Sequence, residues 1–307
     1  MSKRLIDRLT ARVIELESPI LVGLDPQLSM FPEEVVASQV RRFGDNPRAY
    51  AAAIVEFNRA VIDAVEGLTA AVKPQIAFYE ALGVAGLQAY VETCDYAYRR
   101  GLFVVADSKR GDIGSTSAAY AEAFLDAVEP QEGRFYSDFV TVNPYLGDDC
   151  LKEFVKRIDA RDKGMFVLVK TSNPSSAQLQ DLEIKSDGRT IYQAVADLVE
   201  SWSSQRVGEC GLSSIGAVIG ATHPEQLGEL RKRMPTSLFL VPGYGAQGGT
   251  ARDIVTALRP DGTGALINSS RGIIYAKPQD GESYTDAIRR AAQTMRDDIR
   301  AARKEAR

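Results

Sequence analysis

The sequence predicts an α/β fold, a (β/α)8 barrel of the TIM type. Three observations predict it. Eight short apolar runs recur along the 307 residues, each apolar throughout rather than alternating. That pattern marks strands buried on both faces of a parallel sheet. Segments with helical apolar spacing lie between the runs. Polar residues collect at the C-terminal ends of the runs, and in a barrel those ends converge on the face that carries the active site. A doubly wound open sheet is the alternative way to arrange the same units. Nothing marks a domain boundary, so residues 1–307 read as one domain.

Taken in order, the N-terminal "MSKRLIDRLTARVIELES" has apolar residues at helical spacing but no continuous apolar core, which argues against a signal peptide. "PILVGLD" (19–25) is the first strand and ends in Asp25. In 46–68, Ile54, Phe57, Val61, Val65 and Leu68 are spaced 3, 4, 4 and 3, one face of a helix. "AAVKPQ" (70–75) carries Lys73, and a helix over 80–100 follows. "LFVVADSK" (102–109) carries Asp107 and Lys109, with a helix over 115–128. "DFVTVNPY" (138–145) carries Asn143, with a helix over 148–160. "MFVLVKTS" (165–172) ends in Lys170 and Ser172. The stretch 173–214 reads as an elaborated connection after this fifth strand and includes a helix over 190–206. "IGAVIGAT" (215–222) leads into a helix over 223–233, where Thr222 and Glu225 have capping-box spacing and Pro224 suits the first turn. "LFLVPGYG" (238–245) precedes a helix over 250–258. "GALINSSRG" (264–272) is the eighth strand, and 283–305 is a charged amphipathic helix.

Composition narrows the function. A net charge of −4 argues against a general nucleic-acid surface. No stretch approaches the roughly 18–20 apolar residues of a membrane span. Cys94, Cys150 and Cys210 are odd in number and far apart, which suggests buried thiols in a reducing, cytoplasmic setting rather than a disulfide framework or zinc site. The single histidine, His223, reads as a helix-terminus residue. One histidine argues against a Ser-His-Asp triad and against a multi-histidine metal site.

The strand-end residues Asp25, Lys73, Asp107, Lys109, Asn143, Lys170, Ser172, Gln247 and Arg271 come from different strands, and a barrel would gather them into one pocket. Asp107 and Lys109, at i and i+2, face the same way on a strand. With Lys73 and the following Asp112 they form an alternating array that keeps each lysine charged. A fixed ammonium can donate a proton to carbon or stabilise developing negative charge. The bland reading of the same array is a structural ion-pair network. The loops "VPGYGAQGG" (241–249) and "NSSRG" (268–272) follow the seventh and eighth strands, a frequent phosphate site in barrels, and Arg271 can grip an anion with a fork of donors.

"ADSKRGDIGSTSAAYA" resembles the signature of orotidine 5′-phosphate decarboxylases. "LVGLDPQ", "VKPQIAFYEALG", "VKTSNPSS", "VPGYGAQGG" and "NSSRGIIYA" extend the resemblance, in order, from residue 21 to 275. The serine and glycine of "DSKRGDIGST" and the length are similar to the longer bacterial (type 2) branch. The resemblance implies decarboxylation of orotidine 5′-monophosphate (OMP) to uridine 5′-monophosphate (UMP) without cofactor or metal, by a homodimer with shared sites. It implies that Lys109 protonates C6 of the pyrimidine, that Asp107 lies beside the departing carboxylate and that Lys73 orders the array. Asp112 would come from the other subunit, with Ile113 and Thr116 beside it. Asp25 would bind ribose hydroxyls, Ser172 and Pro242 would meet the pyrimidine, Gln247 and Arg271 would hold phosphate, and Ser270 would also bind substrate. Tyr244 would sit in a closing loop. Three other readings stay open: a magnesium-dependent sugar-phosphate enzyme of the same suprafamily, a Schiff-base aldolase using Lys73 or Lys170, and a non-catalytic phosphate-binding barrel.

Overall fold

The computed structural model describes residues 3–245 and 248–306. Eight parallel strands close into a barrel in chain order: β1 Ile20–Leu24, β2 Ala71–Pro74, β3 Phe103–Arg110, β4 Phe139–Val142, β5 Gly164–Lys170, β6 Ser213–Ile219, β7 Ser237–Val241 and β8 Ala265–Ser269. β1 pairs with both β2 and β8, which excludes the open sheet. All strands but β3 end earlier than the apolar runs suggested. "NPY" after β4 and "PGYG" after β7 are loops at the barrel mouth, and "SRG" after β8 opens the short helix Arg271–Ile274.

Period-two alternation sorts the strand residues into two cores. Leu21, Ala71, Val105, Phe139, Phe166, Leu240 and Leu266 point inward. Leu5, Ile6, Leu9 and Val13 of the helix Leu5–Leu16 join this inner core and close it at one end. The intervening residues, such as Val22, Val72, Val104, Val167, Ile219 and Ile267, face outward into a larger core shared with the helices. Each fully buried Val, Leu, Ile or Phe side chain contributes about 1.5–3 kcal/mol, so the inner plug and outer ring are both strongly favoured.

The helices Pro47–Val65, Gly83–Arg99, Gly114–Leu125, Asp148–Arg161, Ile191–Ser203, Pro224–Arg233 and Tyr284–Glu305 fall where the spacing placed them. The segment 250–258 yields only a short helix, Ala251–Ile254, and a 3-10 turn. Glu33–Phe43 is a helix with no sequence counterpart above; Val36, Val40 and Phe43 lie at helical spacing, but Val35 is its one buried residue and the stripe is short. The capping box expected at Thr222 does not form. Pro224 occupies the first helical position, so His223 is the N-cap, and the Thr222 hydroxyl turns instead to the Ser172 carbonyl at 3.4 Å. No helix among the described residues is long and apolar enough to cross a membrane.

Candidate active site

The inward columns explain how the site is assembled. Continuing each column past its last apolar residue leads from Ala71 to Lys73, from Val105 to Asp107 and from Phe139 to Thr141 and Asn143. The same step leads from Leu240 to Pro242 and from Leu266 to Asn268 and Ser270. All of these line one cavity of about 770 Å³ at the barrel mouth, together with Asp25, Lys109, Ser172, Tyr244 and Arg271.

Three charges dominate its floor. Lys73 Nζ lies 2.6 Å from Asp107 Oδ2, and Lys109 Nζ lies 2.5 Å from Asp107 Oδ1. The Thr141 hydroxyl donates to Asp107 Oδ1 at 3.1 Å, and Asp25 Oδ1 stands 4.0 Å from Lys73 Nζ. Lys73 and Asp107 are buried, at 5% and 6% exposure, whereas Lys109 reaches into the open cavity. Burial by itself would raise the Asp107 carboxyl, but Lys73 and Lys109 outweigh it and hold the group well below the usual carboxylate range. Burial opposes the charge on Lys73, and Asp107 and Asp25 outweigh that too, raising the ammonium above its ordinary value. Asp107 and Lys73 are therefore both ionised at neutral pH.

Lys109 does not reach Asp107 by regular strand alternation. The register with β4 shifts between Ala106 and Arg110, and Lys109 adopts φ +46°. The Thr141 hydroxyl accepts both the Ser108 and Lys109 N–H groups at 2.9 Å and so braces this turn. Left-handed backbone at a non-glycine residue costs about 1–2 kcal/mol, a strain that tends to persist at functional positions.

Lys170 departs from the expectation that it joins the pocket. β5 bulges between Leu168 and Lys170, so Leu168 pairs with inward Val218 but Lys170 pairs with outward Ile219. The extra residue turns Lys170 away from the barrel interior. It is fully buried outside the cavity wall, which removes it as a Schiff-base candidate there.

Asp112, Ile113 and Thr116 are not brought to this chain's own cavity. Asp112 Oδ1 accepts the Ile113 N–H at 2.8 Å, and Ile113 is 54% exposed. Gln247 lies outside the described residues. His223 stands away from the cavity, half-buried, and burial followed by the Lys170 charge lowers its pKa. Among the described residues no group of three or more His, Cys, Asp or Glu side chains is placed to hold a metal ion.

Sequence reasoning passed over Thr141 and Asn268, although both follow inward residues by two positions. It also passed over Leu179, Gln180, Ile191 and Val195, which reach the cavity from the connection after β5 and from the helix it enters. Tyr275 carried no local signal. Its phenol accepts the Gln27 N–H at 2.6 Å and donates to the Asp25 carbonyl at 2.8 Å, tying the β1 loop to the segment after Arg271. Burial pushes that phenol up to about 12, so it stays a neutral donor.

The profile of the orotidine 5′-phosphate decarboxylase / HUMPS family matches residues 18–285. An orotidine 5′-phosphate decarboxylase of Rhodopirellula baltica is 46% identical over 300 residues, covering 95% of this chain and 98% of its own. One from Clostridium perfringens is 40% identical over 291 residues, with 94% and 96% coverage. The solved OMP decarboxylase of Leishmania donovani superposes with a TM-score of 0.74 at 34% identity, covering 98% of this chain and 99% of that one. The closed eight-stranded barrel, with likeness at these identities running nearly end to end, places this chain in the orotidine 5′-phosphate decarboxylase family.

Proposed function

We propose that this chain, a carboxy-lyase of UMP biosynthesis, decarboxylates OMP to UMP and CO2 with Lys109 as the acid that protonates C6. The observation that carries this reading is the Lys73–Asp107–Lys109 trio, two ammonium groups held on one buried carboxylate at the cavity floor. Breaking the C6–carboxyl bond releases CO2 and leaves the electron pair in an sp2 orbital at C6, with no ring position able to delocalise it. The fixed Lys109 ammonium lowers that carbanion's energy and then transfers its proton to C6. Lys109 is about half exposed, so solvent can return the proton. Asp107, ionised by its two lysines, holds both cations in place and stands near the carboxylate that departs.

The remaining roles follow the walls. Asp25 Oδ1 is buried without a hydrogen-bond partner among the described residues, and a ribose hydroxyl would satisfy it. Ser172 and Pro242 take the pyrimidine. Ser270 and Arg271, with Gln247, take the phosphate. Asp112, Ile113 and Thr116 serve the site of a second subunit in a homodimer. The exposure of Ile113 and Thr116, and the absence of all three from the lining of their own cavity, support this assignment. The three free thiols support a cytoplasmic setting.

The test is to incubate purified protein with OMP in EDTA and follow the loss of its ultraviolet absorbance. Sustained conversion to UMP is expected. Absence of turnover would overturn this reading, and turnover only after magnesium is restored would point to the sugar-phosphate branch.

A further inference from the structure

The connection of residues 171–190 between β5 and the helix Ile191–Ser203 is fastened to β5 at its root. Lys170 is fully buried, and its Nζ lies 2.5 Å from Asp181 Oδ1 and 5.6 Å from the centre of the Tyr192 ring. One residue on, the Thr171 N–H donates to Gln180 Oε1 at 2.9 Å, and Gln180 Nε2 donates back to Thr171 Oγ1 at 2.8 Å. The Thr171 hydroxyl donates to Asn173 Oδ1 at 2.6 Å. Ser172 is thus flanked on both sides by tethered residues. Across from it, a Cβ at Gly220 would come within 2.8 Å of Ser172 Cα, so the Ser172 backbone is seated directly on the end of β6.

The far end is fastened as well. The Ile191 N–H donates to the Leu182 carbonyl at 3.0 Å, and Arg189 pairs with both Asp187 and Asp197. Between its two anchors the segment presents Leu179 and Gln180 to the cavity, beside Ile191 and Val195 of the helix that follows. A buried ammonium deprived of its carboxylate is strongly unfavourable, so the Lys170–Asp181 contact is a strong anchor of the segment to β5.

We infer that Asp181 is a positioning residue for the base-binding side of the site. Through Lys170, and through its neighbour Gln180 on Thr171, it fixes Ser172 and the apolar surface of Leu179, Ile191 and Val195 against the pyrimidine ring. This rests on the reading that Ser172 meets the base. Asp181 then acts on the base side of the site and has no part in gripping phosphate.

The test is competitive inhibition by two probes, UMP and ribose 5-phosphate, which lacks the base. Lys170→Met/Asp181→Leu removes both charges at similar volume, a replacement that usually leaves folding intact. Gln180→Leu breaks only the pairing to Thr171 and is the safeguard if the double variant does not fold. In each folded variant UMP should bind at least about tenfold more weakly, the value of one good hydrogen bond, while ribose 5-phosphate changes by less than about twofold. OMP kcat/KM should fall in step with UMP affinity, and Asp181→Glu should recover part of it. Unchanged UMP affinity in a folded variant, or equal weakening of both probes, would overturn the assignment. Wild-type protein that bound ribose 5-phosphate but gained nothing from the base would instead overturn the functional reading on which the assignment rests.

Discussion

Lys109 carries two burdens at once, since its ammonium is the proposed acid and its backbone is left-handed at φ +46°. The two separate by substitution. Lys109→Ala and Lys109→Gly both remove the ammonium, and each should lower kcat by at least about 1000-fold. Only the glycine variant relieves the backbone, so it should be about 1 kcal/mol more stable than the alanine variant. Thermal melts of the pair check this, and equal stabilities would show that the turn at 107–109 is unstrained. Asp107 yields a second residue-scale expectation. Its folded pKa lies below its unfolded value near 4, so its ionised form contributes stability above that pH and loses it as pH falls through the folded value. The stability difference between wild type and Asp107→Asn should therefore stay constant from about pH 7 down to pH 5. Below about pH 4 it should shift against the wild type. A drift already present between pH 6 and 7 would mean that the lysines do not hold the carboxylate. Asp107 and Lys109 were legible in the sequence because charges at the end of an apolar run need partners or a task. Lys170 looked the same and was not, because a bulge has no sequence signal here and reverses which face a side chain takes.

At the scale of elements, the strands were legible because burial on both faces leaves continuous apolar runs, and the long helices because one face is apolar. Glu33–Phe43 was missed because its apolar stripe is short and only Val35 is fully buried. The wall made by Leu179 and Gln180 was hidden for a different reason. Its geometry is set by side-chain bonds to β5 rather than by periodicity. Where elements meet most closely, a single atom decides the site. A Cβ at Gly23 of β1 would lie 1.9 Å from Ser270 Oγ and 2.9 Å from Ser270 Cβ, beside β8. Gly23→Ala must therefore push the 268–271 loop outward, at roughly 1–3 kcal/mol in stability. Because Ser270 and Arg271 belong to the proposed phosphate grip, inhibition by UMP should weaken markedly while inhibition by uridine hardly changes. A variant that binds UMP as tightly as wild type would show that β1 does not set the phosphate loop.

At the scale of the whole molecule, the proposed homodimer assigns Asp112, Ile113 and Thr116 to the site of a second subunit. Asp112, Ile113 and Thr116 follow β3 yet miss their own cavity. The neighbouring loop after β4 exposes Tyr145 and Leu146, at 76% and 50%, and the two loops are joined by the Asn143 N–H on the Arg110 carbonyl at 2.8 Å. Exposed apolar side chains on adjoining loops at the mouth suit a two-fold contact in which each chain lends these residues to the other. The arrangement has an arithmetic consequence. Lys109→Ala and Asp112→Ala chains should each be nearly inactive alone. In a mixed dimer, the Lys109→Ala chain's site also receives the altered 112 position and carries both lesions. The other site combines a native Lys109 with a native Asp112 and is intact. Random exchange makes half of the dimers mixed, and half of their sites work, so activity should return to about 25% of wild type. The measurement needs equal amounts of the two proteins, exchange verified by a tag on one of them, and OMP turnover before and after mixing. Recovery near one quarter places Asp112 across the interface. Full exchange without recovery would return Asp112 to its own subunit, where a movement of the 111–116 loop toward the cavity would have to supply it.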